Sequence, residues 1–150
     1  MTSLIPPLPP HGAYTMTLAE LETFGVMLGR FAAKSLPCAI ALAGDLGTGK
    51  TTLTRAIGRG FGVLEPVTSP TFALVHEYRA RESARLFHLD LYRIKDPAEL
   101  ANVGWEALFD EPALVIIEWP DRAGALIPPD ALAINLAHVA GDDATRRVSW

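Results

Sequence analysis

The sequence predicts a single α/β domain in which a mixed, mostly parallel β-sheet, extended by β-hairpins, is flanked by helices. Two short apolar runs, Cys38–Ala43 and residues 113–117, have the length of strands that are buried on both faces. Segments with helical periodicity precede and separate these runs, an alternation typical of parallel sheets with crossover helices. The chain has 150 residues, 49% of them apolar, which suffices for one hydrophobic core and argues against two domains.

The domain begins after a proline-rich segment. Residues 1–12 lack helical periodicity, so we predict an extended arm there and a folded domain over residues 13–150. Thr17 and Glu20 have the spacing of a capping box. The apolar residues that follow recur at three- and four-residue steps, which predicts an amphipathic helix that ends before Pro37.

A second helix and a hairpin are predicted in the middle of the chain. Helical periodicity resumes at Lys50 and continues until Gly60 and Gly62 end it. Residues 72–78 and 86–92 are β-prone stretches joined by a short charged segment. We interpret them as an antiparallel hairpin next to the parallel strands.

The last third of the chain repeats the alternation on a smaller scale. Residues 97–109 predict a short helix before the second apolar strand, which stops at Glu118. Residues 120–126 predict a turn of helix, and residues 132–136 alternate as a half-exposed strand does. Residues 146–150 predict a final strand that pairs with it.

Composition narrows the class of protein. The balance of 13 Lys+Arg against 17 Asp+Glu leaves a net charge of −4, which argues against nucleic-acid binding by bulk electrostatics. The single cysteine, Cys38, excludes an internal disulfide and a cysteine-based zinc site, and it favours a reducing compartment. No apolar run approaches the roughly 18 residues of a membrane span. We therefore expect a cytoplasmic protein without membrane contact.

A phosphate-binding loop is the most specific motif. Residues 44–51, Gly-Asp-Leu-Gly-Thr-Gly-Lys-Thr, match Gly-x4-Gly-Lys-[Ser/Thr] between a predicted strand and a predicted helix. The glycines allow successive amides to converge on a polyphosphate, and the helix N-terminus adds positive potential. Lys50 supplies a charge to the β and γ phosphates, and Thr51 a hydroxyl to Mg²⁺. This P-loop predicts a site for ATP or GTP with Mg²⁺, with the candidate ligands Asp45, Leu46, Gly47, Thr48, Gly49, Lys50, Thr51 and Thr52.

Two carboxylates are candidates for completing the site. Glu118 follows an apolar strand, where P-loop enzymes have an acidic residue; it could orient the attacking water, which we favour, or bind Mg²⁺ through a water, or be a surface group. Asp90 becomes a second Mg²⁺ partner if its face of the strand looks toward the loop, and otherwise it could pair with Arg79 or Arg93. His88 has no further histidine or cysteine at ligand spacing, so we predict a hydrogen-bonded structural role for it.

Four motifs together resemble one known family. The segments Gly-Asp-Leu-Gly-Thr-Gly-Lys-Thr-Thr-Leu, Thr-Ser-Pro-Thr-Phe, His-Leu-Asp-Leu-Tyr-Arg and Ile-Glu-Trp-Pro occur in that order. In this combination the chain resembles, over about residues 17–136, the TsaE (formerly YjeE) family of small bacterial ATPases of tRNA threonylcarbamoyladenosine biosynthesis. The resemblance implies a P-loop ATPase that works with the TsaD and TsaB proteins, whose complex modifies an adenosine of tRNA. Contact with tRNA would then be indirect.

The resemblance also implies roles for individual residues. Thr51 and Asp90 would hold Mg²⁺, Lys50 the phosphates, and Glu118 would serve the hydrolytic step. Thr71 would lie in a nucleotide-responsive loop. By the same motifs, Trp119 would lie near the nucleotide or the partner.

The expected activity of the free chain is low. No arginine occupies an obvious position to stabilise charge on the transferred phosphoryl group. We therefore expect slow hydrolysis by the isolated chain, which we take to be a monomer, and faster hydrolysis within the complex.

Two other functions stay open at the level of sequence. A small-molecule kinase would need an arginine-bearing lid, for which Arg79, Arg81 and Arg85 are the only candidates. A guanine-nucleotide switch usually has an Asn-Lys-x-Asp motif, which neither Asn102 nor Asn135 begins.

Overall fold

The computed structural model describes residues 11–67 and 74–150, and within these ranges it contains seven strands and three α-helices. The strands are β1 (Ala13–Thr17), β2 (Cys38–Ala43), β3 (Val75–Arg79), β4 (Arg85–Asp90), β5 (Ala113–Glu118), β6 (Leu132–Val139) and β7 (Asp142–Ser149). The helices are α1 (Leu18–Ala33), α2 (Lys50–Phe61) and α3 (Trp105–Asp110). The predicted α/β class is confirmed.

The strands form one mixed sheet in the order β1-β7-β6-β2-β5-β4-β3. The four central strands are parallel, since β2 pairs with β5 and β6, and β4 pairs with β5. The outer strands β1, β7 and β3 are antiparallel to their neighbours. The carboxyl ends of the central strands therefore meet at one edge of the sheet, where ligands of α/β proteins bind.

Helices α1 and α2 pack against each other over one face of the sheet. The predicted capping box starts α1: the Thr17 hydroxyl accepts from the Glu20 amide at 3.2 Å, and the Glu20 carboxylate accepts from the Thr17 amide at 3.1 Å. The helices approach closely at Gly29, where an added Cβ would lie 2.1 Å from the carbonyl oxygen of Ile57. Helix α2 continues through Gly60 to Phe61, and Gly62 caps its C-terminal end.

The two faces of the sheet are covered differently. The face under α1 and α2 holds the larger apolar cluster, which extends from β7 to β3. The opposite face is covered over β4 and β5 by α3 and the 3-10 segment Pro97–Val103. Strand β5 is buried on both faces, as its apolar run predicts.

Strand β1 was missed by the sequence analysis, which placed only the start of the domain there. It pairs with β7, and the backbone of Gly12 already exchanges two hydrogen bonds with Trp150, at 3.0 and 3.1 Å. Gly12, the last residue of the predicted arm, is therefore hydrogen-bonded to the C-terminal residue beside the sheet. Residues 1–10 lie outside the described part of the chain. Strand β1 is exposed along most of its length, so it has no apolar alternation to reveal it.

Several predicted boundaries were also wrong. Strand β4 ends at Asp90 and does not reach Tyr92, whereas β7 begins at Asp142, four residues before its predicted start. The helix predicted over residues 97–109 is interrupted at Gly104, whose φ of +68° ends a 3-10 segment before α3 begins.

No helix among the residues that the structure describes combines the length and the apolarity needed to cross a bilayer.

Candidate functional site

The loop of residues 44–49 connects β2 to α2 at the carboxyl edge of the sheet. Its path depends on glycine: Gly44 has a φ of +153°, and a Cβ there would lie 2.5 Å from the carbonyl oxygen of Leu136. Gly49 is the N-cap of α2, with a φ of +106° and no side chain that caps the helix. The first amides of α2 therefore have no side-chain cap, which leaves them available to an anion.

A pocket of about 290 Å³ opens at this helix start. Its lining contains most of the predicted site residues: Leu46, Gly47, Gly49, Lys50, Thr51, Thr52, Asp90, Glu118 and Trp119. Two predicted nucleotide ligands do not line it. Thr48 is buried and its hydroxyl donates to the carbonyl oxygen of Asp45 at 2.8 Å, so these two residues shape the loop. Thr71, also predicted as a ligand, lies outside the described residues.

Lys50 lies at the centre of the loop and is almost fully buried. Its ammonium group donates to the carbonyl oxygen of Asp45 at 2.9 Å and to that of Gly44, and it lies 4.3 Å from the centroid of the Trp119 ring. An ammonium group has three donors, so one remains for a phosphate oxygen. Burial lowers the pKa of Lys50, and this shift is opposed by the nearby carboxylates of Glu118, Asp90, Asp45 and Asp121.

Glu118 is buried beside the loop and is not a surface carboxylate, with 3% of its area exposed. Its Oε1 accepts from the Thr51 hydroxyl at 3.4 Å. Its Oε2 is hydrogen-bonded to Nε2 of His88, which is fully buried on the neighbouring strand β4. The hydrogen-bonded role predicted for His88 is therefore confirmed, and its partner is the acidic residue of the site.

Asp90 faces the loop, as its prediction as a magnesium partner requires. It is the register partner of Glu118 across the parallel pair β4 and β5, so the two carboxylates are adjacent at the carboxyl edge. One Asp90 oxygen accepts from the Tyr92 amide at 3.0 Å. Within the described ranges, Asp90 forms no ion pair with Arg79 or Arg93.

These oxygen donors fit a magnesium ion that arrives with phosphates. Thr51, Asp90 and Glu118 line one pocket beside the loop. Among the described residues, no group of three or more histidine, cysteine, aspartate and glutamate side chains could hold a metal without other ligands. Mg²⁺ in nucleotide sites is typically bound by one or two carboxylates together with phosphates and water. The donor set therefore suits nucleotide-bound Mg²⁺ better than a permanent metal centre.

Two residues beside the loop were missed by the sequence analysis. His138 Nε2 donates to the carbonyl oxygen of Leu46 at 3.1 Å, and Arg146 Nη2 donates to that of Gly47 at 3.2 Å. Both residues lie in the hairpin of β6 and β7, and neither belongs to a sequence motif. A contact between a side chain and a distant backbone carbonyl leaves no spacing signal in a sequence.

The arginines considered for a kinase lid lie away from the pocket. Arg81 packs against Gly62 at the C-terminal end of α2, opposite the end that starts at the loop. Arg85 begins β4 and pairs with Glu77 and Glu111. The cluster thus lies at the other edge of the sheet and provides no cation above the P-loop.

The sequence places the chain in a known protein family. It matches the model of the family "Threonylcarbamoyl adenosine biosynthesis protein TsaE" over residues 15–148. The chain belongs to the TsaE family. The match to the TsaE model covers the whole site described above and β7 as far as Val148.

Individual TsaE relatives are similar over most of the chain. A protein of a Nostoc species named "tRNA threonylcarbamoyladenosine biosynthesis protein TsaE" is 37% identical over 137 residues, 87% of this chain and 80% of that protein. The protein of the same name from Haemophilus influenzae is 39% identical over 105 residues, 70% of this chain. That alignment spans 65% of the Haemophilus influenzae protein, just under two thirds.

A solved structure has the same fold. The crystal structure of YdiB from Bacillus subtilis superposes with a TM-score of 0.68 and covers 93% of this chain and 83% of that one. The two sequences are 24% identical, so the likeness concerns the fold. The prediction of a single P-loop domain with a mixed sheet and flanking helices is confirmed.

Proposed function

We propose that this chain binds ATP and Mg²⁺ at residues 44–51, hydrolyses the ATP, and thereby supports the threonylcarbamoyladenosine modification of tRNA. The observation that carries the proposal is the convergence of Lys50, Thr51, Asp90 and Glu118 on one pocket at the start of α2. Phosphoryl transfer requires mainly positioning and charge neutralisation. A cation, a hydroxyl and two adjacent carboxylates provide both.

The phosphates are bound by the backbone and by Lys50. The uncapped amides at the start of α2 and the third donor of the Lys50 ammonium group point to an anion as the ligand. The ring of Trp119 lies against the same ammonium group, where it shields the charge from water and limits its movement. Mg²⁺ supplies charge neutralisation on the phosphate oxygens when it is bound.

The hydroxyl and the carboxylates would hold the metal and the reacting water. Thr51 and Asp90 are the proposed Mg²⁺ ligands. Glu118, fixed at one oxygen by His88 and at the other by Thr51, is next to the metal-binding hydroxyl. We assign it to orienting water in the pocket, either the attacking molecule or one bound to the metal.

The proposed partners follow from membership of the family. We propose that the chain acts with the TsaD and TsaB proteins in the cytoplasm and approaches tRNA through them. The net charge of −4 supports an indirect contact with tRNA. The segment from Arg79 to Arg85 places no cation at the pocket. This observation supports slow hydrolysis by the free chain.

The test compares ATP hydrolysis by the full chain alone and with a purified TsaD–TsaB pair. We expect the pair to be retained by the chain in the presence of ATP and to raise the hydrolysis rate at least about tenfold. Lys50→Ala should abolish both effects, whereas Lys34→Ala, at an exposed lysine after α1, should preserve them. Equal behaviour of the two variants would contradict the site. ATP binding by the wild-type chain without retention of the pair would contradict the partners alone.

A further inference from the structure

The hairpin of β6 and β7 contacts the tip of the phosphate-binding loop from outside. His138 and Arg146 are register partners in this hairpin. They lie on the same side of the sheet as Leu136 and Val148, which are buried under the helices. Because β6 is the neighbour of β2, both side chains reach the loop that follows β2.

Arg146 is held in place by main-chain oxygens. Its Nη1 donates to the carbonyl oxygens of Asp143 at 3.0 Å and Thr145 at 2.9 Å, while its Nη2 donates to Gly47. No carboxylate among the described residues lies within ion-pair distance of this guanidinium group. The carboxylate of Asp142 is close enough to interact with Arg146 electrostatically, but no salt bridge neutralises the guanidinium charge. This charge lies beside a loop whose proposed ligand is strongly negative.

The contacts orient the peptide units of the loop. In a planar trans peptide the C=O and N–H groups point in opposite directions. Binding the carbonyls of Leu46 and Gly47 to the hairpin therefore turns the following amides, those of Gly47 and Thr48, away from it. Of these two, the Thr48 amide donates to the carbonyl oxygen of Asp45 at 3.4 Å, which leaves the Gly47 amide as the donor available to a phosphate. A donor on a carbonyl also polarises the peptide unit and strengthens its N–H as a donor.

We propose that Arg146, assisted by His138, is a positioning residue for the triphosphate of ATP. It holds the loop tip in the shape that directs the Gly47 amide at the phosphates, and its charge, which no salt bridge neutralises, attracts them. The inference rests on the proposed function, because it requires the loop to bind a polyphosphate. Since the contact is with the backbone and not with the metal-binding side chains, the effect on affinity does not require Mg²⁺.

The test measures ATP affinity of the full chain by calorimetry, with and without Mg²⁺. Arg146→Ala should raise the Kd about tenfold in both conditions, the loss of one charge-assisted contact. Arg147→Ala removes the same charge from the next position of β7, which is exposed on the other side of the sheet, and should change the Kd less than about twofold. Arg146→Lys keeps the charge but replaces the planar guanidinium group by a single ammonium nitrogen, which cannot reach all three carbonyls, so its Kd should be intermediate.

Thermal unfolding of the same variants distinguishes the positioning role of Arg146 from a purely structural role. If the role were purely structural, Arg146→Ala would lower the Tm but leave the Kd of the folded protein at the Arg147→Ala value. This result would overturn the inference. Should Arg146→Ala fail to fold, Arg146→Lys and His138→Ala must still raise the Kd above the control. Absence of ATP binding by the wild-type chain would overturn the proposed function as well, so the two failures are distinguishable.

Discussion

The phosphate-binding loop has neighbours of opposite charge on its two sides. Strand β2 lies between β5 and β6. On one side lie Asp90 and Glu118, the acidic flank, of which Glu118 accepts from the Thr51 hydroxyl. On the other side His138 and Arg146, the basic flank, donate to loop carbonyls. The acidic flank therefore contacts, through Glu118, the side chain that we assign to Mg²⁺, and the basic flank contacts the backbone that would cradle the phosphates.

Substitutions in the two flanks should therefore cause different defects. Changes in the acidic flank should affect Mg²⁺ dependence and turnover, because carboxylates act on the metal and on water. Changes in the basic flank should affect phosphate affinity in the presence and absence of metal, because they alter the orientation of the loop amides.

The largest expected effect is on turnover when Glu118 loses its charge. Glu118→Gln keeps the size of the side chain and should lower the hydrolysis rate with TsaD–TsaB about 100-fold, within the range for a positioned base. The Kd for ATP should change only a few-fold. Glu106→Gln, at an exposed position of α3, is the matched control for single-turnover assays. Normal turnover by Glu118→Gln would remove Glu118 from the mechanism.

A smaller effect is expected at the second carboxylate of the acidic flank. Asp90→Asn should weaken ATP binding about tenfold in the presence of Mg²⁺, because it removes a metal ligand. In EDTA its Kd should equal that of the wild type, in contrast to Arg146→Ala. Calorimetry in the two buffers makes the comparison. An equal loss in both would mean that Asp90 supports the loop and not the metal.

His88 tests whether the acidic flank depends on its buried hydrogen bond. His88→Leu leaves the Glu118 oxygen without its partner and should lower the free energy of unfolding by about 2 kcal/mol, together with a fall in turnover. His88→Gln retains an N–H donor and should recover part of both. Urea unfolding and hydrolysis assays provide the two readouts. If both variants had wild-type turnover, the bond would not position Glu118.

The smallest effect is expected at Cys38, which begins β2 at the edge of the sheet opposite the loop. Burial and the nearby carboxylate of Asp130 raise the pKa of the Cys38 thiol. At about pH 8 it should therefore be alkylated more slowly than a free cysteine, and the rate should rise only at higher pH. Saturating ATP should not change this rate. If ATP protected Cys38 from alkylation, nucleotide binding would affect the far end of β2. The effects of the two flanks would then not be confined to the loop.

The contiguous parts of the site were predictable from spacing alone. The loop of residues 44–51, the capping box of α1 and the doubly buried strands β2 and β5 each follow from residues close together in the chain. Glu118 was a candidate because it follows an apolar strand, whereas Asp90 was one only on the condition that its face of the strand looks toward the loop. The parallel pairing of β4 with β5, which meets this condition, came from the structure. Strand β1 was not predictable, since its exposed side chains have no periodicity.

The sequence by itself determined that a loop with the P-loop motif follows a buried strand, because glycine spacing and apolar runs are local properties. Only the tertiary structure decided what surrounds that loop. His88 and Glu118 are 30 residues apart in sequence, and Arg146 and Gly47 are 99 apart. Such contacts depend on strand order and register, and one of them ends on a backbone carbonyl that every residue has. No residue pattern records them, so they emerge only when the sheet is assembled.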